Sequence, residues 1–187
     1  PERCAAVVIA GPRQALEEAE VGRLDAYGDR WGRLAILLEP DPAPSFEAWL
    51  RPRGLEPLPG VIVDTSAAGR TVGSGPRSPL AVRYIDHPIT QSFEIATLYD
   101  GSRALRVIEK PEYGGRPTAL AETGAESFVT TATEPSPAFT PGRDTGGPLT
   151  LVAATTLSAP GQRDQEFRLV VFGDSDFISN ALLRRQG

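Results

Sequence analysis

Histidine, cysteine and lysine are almost absent from this chain, and methionine is absent altogether. Cys4 stands alone, which excludes an internal disulfide and a thiolate metal cage. Opening a strand, it reads as a buried structural thiol. His87 is the only histidine, which excludes most zinc constellations and any His-pair chemistry. Lys110 is the only lysine; the other basic residues are all arginines, a bias that carries no function. No apolar run reaches eighteen residues, and no signal peptide is visible. There is no G-x-G-x-x-G, no phosphate loop and no G-x-S-x-G elbow, which removes the usual nucleotide and serine-hydrolase signatures.

What is present is ordinary for a folded domain. The chain has 187 residues, 40% apolar and 23% charged, enough for one core and far from disorder. Its net charge of −5 disfavours non-specific binding to nucleic acid or anionic lipid. Ala5–Ala10 is a short apolar run closed by Gly11-Pro12, as for a strand buried on both faces. A helix is expected over 14–31, with Leu16, Leu24, Tyr27 and Trp31 on one face and Gly32 as its stop. A second buried strand follows at 34–38, then a short helix over 45–50 and a third strand at 61–63. This rhythm predicts a parallel sheet with crossover helices. The stretches 64–79 and 111–148, rich in Gly, Pro, Ser and Thr, are expected to be loop-rich insertions, the second lid-like. Short strands are expected at 81–84 and 96–99 and a stronger one at 104–108. The strands at 149–156 and 168–172 are expected to form an antiparallel hairpin, with a helix beginning near Ser179 or Asn180.

The candidate site residues each have two readings. Gly11-Pro12-Arg13 occupies a strand-to-helix turn, where Arg13 could meet an anion or the segment could be a plain tight turn. Asp174-Ser175-Asp176 follows a buried strand; its carboxylates fit a hard cation or a sugar hydroxyl, or else close an Asx turn and cap a helix. Asp86-His87-Pro88 is a pH-sensitive ligand pair or a proline-fixed turn.

Together, several segments resemble a known family. They are Val8–Arg13, Leu24–Tyr27, Gly32–Leu34, Glu39-Pro40, Asp86–Thr90, Gly147–Thr150, Val170–Phe177 and Ser179-Asn180. They are similar, in order, to the auxiliary component of uncharacterised ABC-type transport systems. That family includes the GldG-type gliding-motility proteins and has an intraflagellar-transport component among its distant relatives. Gly28 and Trp31 depart from its pattern in the first helix.

The resemblance implies a single α/β domain over 1–187, flavodoxin-like or class I glutamine amidotransferase-like. Its sheet would be mostly parallel, with helices on both faces and an antiparallel pair near the C-terminus. It implies a non-catalytic, extracytoplasmic interaction or sensing domain, without cofactor or metal, partnered by an ABC permease and ATPase. The ends of the sequence read as a fragment of a larger protein anchored by membrane helices elsewhere. A second function class is a carbohydrate- or small-ligand-binding domain lined by Arg13, Asp64, Asp86, His87, Asp174 and Asp176. A third is a degenerate hydrolase working through Asp174, Ser175 and His87, which requires Ser175 within hydrogen-bond reach of His87.

Overall fold

Alternation governs one of the two central strands, Glu166–Phe172, whereas its neighbour, Thr150–Ser158, is buried continuously from Leu151 to Thr155. A computed structural model of the chain describes residues 4–40, 44–72, 75–158 and 165–180. In chain order it contains β1 (Val7–Ala10), α1 (Glu18–Gly28), β2 (Arg33–Leu37), α2 (Pro44–Leu50), β3 (Leu55–Pro57), β4 (Val61–Asp64) and α3 (Ala67–Val72). The strands β5 (Leu80–Ala81), β6 (Arg83–Tyr84), β7 (Thr97–Leu98), β8 (Leu105–Val107) and β9 (Arg116–Glu122) follow. The last are β10 (Ser127–Thr130), β11 (Thr145–Gly146), β12 (Thr150–Ser158) and β13 (Glu166–Phe172).

The main sheet has eight strands, ordered β1-β2-β13-β12-β8-β3, with β9 also on β12 and β6 on β9. Among the described residues, only β1–β2 and β2–β13 pair in parallel. From β13 onward every pairing in this sheet is antiparallel. Strands take 33% of the described residues and helices 18%. The expected flavodoxin-like parallel sheet, flanked by helices on both faces, is therefore corrected to a mixed, sheet-rich fold.

Two features account for the difference. The strand at 61–63, expected to extend the parallel sheet, leaves it: β4 pairs antiparallel with β10 in a separate sheet ordered β11-β10-β4. And the 111–148 stretch, expected to be irregular, supplies β9, β10 and β11. β9 carries Pro117 and little β-branched character, so its propensity is poor. It forms because Leu120 and Ala121 bury against β12, and tertiary burial outweighs a propensity of about 1 kcal/mol.

The helices α1 and α2 lie on one face. Leu24 of α1 and Phe46, Trp49 and Leu50 of α2 share a cluster with Leu34, Ile36, Leu169 and Val171. Glu17 and Glu20 form a reciprocal capping box that starts α1 later than expected. Trp49 Nε1 donates to Asp25 at 2.9 Å, and the Arg53 guanidinium stacks 3.7 Å from the Trp49 ring while donating to the same carboxylate. This clamp ties α2 to α1.

Gly32 does not itself end α1. Trp31 takes the left-handed conformation at φ 60°, and Gly32 is required because a Cβ there would lie 2.3 Å from the Tyr27 ring. Cys4, expected to be buried, is exposed. The side chain of Ser45, at the start of the expected short helix, and the chain beyond Asn180, where the last helix was expected to run, lie outside the described side chains and residues.

On the opposite face Ile62 of β4 and Val129 of β10 join Leu120, Leu151 and Val152 in a second cluster, with Val170, Phe172 and Phe177 packed against it. The second sheet thus covers this face near the carboxyl end of β13. Adjacent residues of β13 therefore experience different surroundings. Leu169 is 1% exposed under the helices, whereas Val170 is half-buried on the other side. Leu169→Ala is expected to cost about 3 kcal/mol and Val170→Ala under about 1 kcal/mol. Urea unfolding of the two variants checks this, and equal losses would mean that helices flank both faces.

Candidate functional site

Chain geometry splits the expected site residues between opposite ends of the central strands. At the carboxyl end, Gly173 lets β13 run hard against the preceding loop: a Cβ there would sit 2.1 Å from the Arg103 carbonyl oxygen. Arg103 N–H donates to the Gly173 carbonyl at 2.8 Å. The turn that follows carries Asp174 inward, where it is 1% exposed. Its carboxylate accepts the Asp176 N–H at 2.8 Å, an Asx turn, and the Asp100 N–H at 3.1 Å. Ser175 Oγ bonds the Glu39 carboxylate, and Gly11, at φ 57°, leaves room for both. Asp176 and Arg13 are exposed nearby in the chain.

Glu39 and Asp100, which sequence reasoning did not include, thus complete an acidic edge with Asp174 and Asp176. The signal for Glu39 was available, since it closes β2 beside the same edge. Among the described residues, no group of His, Cys, Asp and Glu has the arrangement to hold a metal ion. Asp174 works as a strut: both oxygens are spent on backbone N–H groups that fix the turn.

Asp64 plays a similar part elsewhere. It is 4% exposed and accepts the N–H groups of Ser66, at 2.9 Å, and Leu80, at 3.4 Å. Gly69 packs so close that a Cβ would sit 2.8 Å from the Asp64 carboxyl.

His87 and Asp86 occupy the loop between β6 and β7. His87 Nδ1 accepts the Ile89 N–H at 3.2 Å, and Asp86 is exposed. His87, Pro88 and Ile89 wall a trough of about 540 Å³ over the amino-terminal half of β13, whose lining includes Arg168 and Val170. Ser175 lies beyond the other end of that strand. From Arg168 to Phe172 alone is about 13 Å of strand. Ser175 and His87 are not brought together, and Ser175 bonds Glu39 instead.

The floor of the trough was missed by sequence reasoning. Val8 pairs with Ala35, Ala35 with Val170, and Val170 with Ala154, so these small residues form one cross-strand row. In the next row Arg33 pairs with Arg168, Arg168 with Thr156, and Thr156 with Arg116. Arg33, Arg116 and Arg168 are exposed. Glu166 bridges Arg116 at 2.9 Å and Arg168 at 3.2 Å. Val8 remains 62% exposed and Ile89 59%. The period-two alternation of Phe167, Leu169 and Val171 with Arg168 and Val170 was the legible signal.

No family model matches the chain, and no curated protein matches it. Among solved structures it is similar to the mmIFT52 N-terminal domain, with a TM-score of 0.67 and 15% identity. The likeness covers 97% of this chain and 70% of that one. At that identity the likeness is one of fold. It corrects the expected membership in the ABC-transport auxiliary, GldG-type group: the structural likeness is to an intraflagellar-transport protein, which the sequence resemblance had placed only as a distant relative. The ABC-transporter and GldG-type labels are corrected with that membership. No helix among the described residues is long and apolar enough to cross a membrane.

Burial pushes the Asp174 carboxyl up from 3.8 to about 6, with Asp176 and Glu39 adding to the rise and the two N–H bonds opposing it. The folded chain therefore holds a proton there at pH values where the unfolded chain has lost it. Stability from this group falls as pH rises from about 4 through about 6, by about 3 kcal/mol in all. Asp174→Asn cannot titrate. The stability difference between wild type and Asp174→Asn, from urea unfolding at a series of pH values, should shift against wild type by that amount. A flat difference would mean an ordinary, solvated carboxylate.

Proposed function

We propose that this domain is a non-catalytic protein-interaction module that docks a partner on the uncovered half of its main sheet. The observation that carries the reading is the apolar row on the face opposite α1 and α2, in which Val8 is exposed and Ala35 and Val170 are half-buried at the trough, with Ala154 buried at its inner end. Exposed apolar surface with a polar rim is characteristic of association sites. The titratable groups of the acidic edge have structural employment. Asp174 and Asp64 hold turns through backbone N–H groups, and Ser175 is bonded to Glu39 rather than to a base. A small-ligand or sugar site would need the polar residues around one pocket, and they are divided between the two ends of the strands.

Ala35 belongs to neither apolar cluster, so Ala35→Glu sets a charge in the middle of the row at a position outside both cores. Tagged wild-type chain, Ala35→Glu and the acidic-edge variant Asp176→Ala are to be compared as bait in quantitative affinity capture. The expected result is a partner retained by wild type and Asp176→Ala and reduced roughly tenfold or more by Ala35→Glu, as for a charge set in a desolvated interface centre. Capture that Asp176→Ala abolishes and Ala35→Glu preserves would sink the reading and return attention to the acidic edge.

A further inference from the structure

We infer that the trough receives an amphipathic helix of a partner protein. That helix would be apolar on the side meeting Val8, Ala35, Val170 and Ala154, and acidic along the flank meeting Arg33 and Arg168. The inference rests on the interaction reading above and names the chemistry of its partner.

The floor of the trough decides the backbone of the occupant. It is a sheet face, whose N–H and C=O groups are paired within the sheet across β2, β13 and β12, with β1 paired on its β2 side. An extended segment laid over it would find no main-chain partners and would leave its own polar groups unpaired in an apolar contact. A helix satisfies its backbone internally and presents only side chains. The row crosses adjacent strands spaced about 4.8 Å apart, so it spans about 14 Å. About ten helical residues cover that distance. Alanine and valine on the floor permit close approach, and Pro88 and Ile89 rise beside it as a wall.

Charge decides the flank. The chain as a whole carries −5, yet the row next to the apolar one presents the guanidinium groups of Arg33, Arg168 and Arg116. Glu166, the carboxylate seated among them, is 19% exposed at its side chain, while the Arg168 and Arg116 side chains are 59% and 72% exposed. This edge of the trough is therefore locally basic. Asp or Glu at i and i+4 on a docked helix would meet it, each within reach of bidentate guanidinium contact. The apolar floor argues against a nucleic-acid strand, whose affinity would come from phosphates.

The test is selection of a random twenty-residue displayed peptide library on the whole 187-residue chain, with Ala35→Glu and Val8→Asp chains as controls whose folding is checked by thermal melting. Enriched peptides are expected to carry apolar residues at i, i+3, i+4 and i+7 with Asp or Glu on one flank, and to become helical when bound. Their affinity should fall roughly tenfold or more with Ala35→Glu. With the double variant Arg33→Glu/Arg168→Glu it should fall roughly five- to fiftyfold, the loss shrinking at high salt. Four results would overturn the inference: basic or proline-rich binders, no enrichment over the control chains, binding indifferent to the arginine reversal, or wild-type self-association that Ala35→Glu abolishes. Phosphatidylserine vesicles bound by wild type and released by Ala35→Glu would also overturn it, in favour of a membrane. If cellular capture still depends on Ala35 while the selected peptides fail these criteria, the helix is refuted and the interaction reading stands. If capture is also indifferent to Ala35→Glu, both fall.

Discussion

Everything in this fold hangs on the double pairing of β13. On one side it runs parallel to β2, from Arg168 opposite Arg33 to Phe172 opposite Leu37. On the other it runs antiparallel to β12, from Val152 opposite Phe172 to Ser158 opposite Glu166. Because side chains alternate with a period of two, this register also fixes which residues share a face. Leu169 and Val171 lie with Leu34 and Ile36 under α1 and α2. Arg168 and Val170 align with Arg33 and Ala35 on the other side. A one-residue slip would bury the arginines beneath the helices and expose the leucines, so the register is held by the whole core.

The same strand positions both ends of the molecule. Beyond its carboxyl end, Gly173 allows contact with Arg103, and that contact carries Asp174 below the loop at Asp100. Desolvating this carboxylate is costly, and it is tolerated because two N–H groups accompany it. At the amino-terminal half the cover thins, leaving Val8 exposed and Ala35 and Val170 half-buried. Buried charge is treated similarly elsewhere: Arg103, 2% exposed, donates to the Leu58 carbonyl and to Glu47, and Arg53 is enclosed by Trp49, Asp25 and Tyr113. Each guanidinium joins a helix to the sheet layer or to the neighbouring helix, so these charges contribute orientation more than net stability.

The sites of the two minor sheets explain how far local pattern reaches. Ser127 to Thr130 are all buried, yet four residues of Ser, Phe, Val and Thr amid Gly, Pro and Glu carry too weak a pattern to mark a strand. They become one through pairing with β4, more than sixty residues earlier in the chain. The family resemblance had a similar limit. Landmarks such as Asp86–Thr90 and Val170–Phe177 lie at turns that a fold requires, and turns of that kind are shared among proteins of different function.

By itself the sequence determined the local segments. The strands at 7–10, 33–37, 105–107, 150–158 and 166–172 and the helices around Leu24 and Trp49 follow from apolar runs and period-two or helical spacing. The Asx turn at Asp174 follows from an acid two residues ahead of a backbone N–H. Only the tertiary structure decided where those segments went: β4 into a separate sheet, β9 onto β12, α1 and α2 onto one face. It also separated His87 from Ser175 and set Val8, Ala35, Val170 and Ala154 in one row. The reason is physical. Local pattern records which side of an element is apolar, whereas strand partner, parallel or antiparallel sense and the cover over each face are settled by long-range burial that no short window contains.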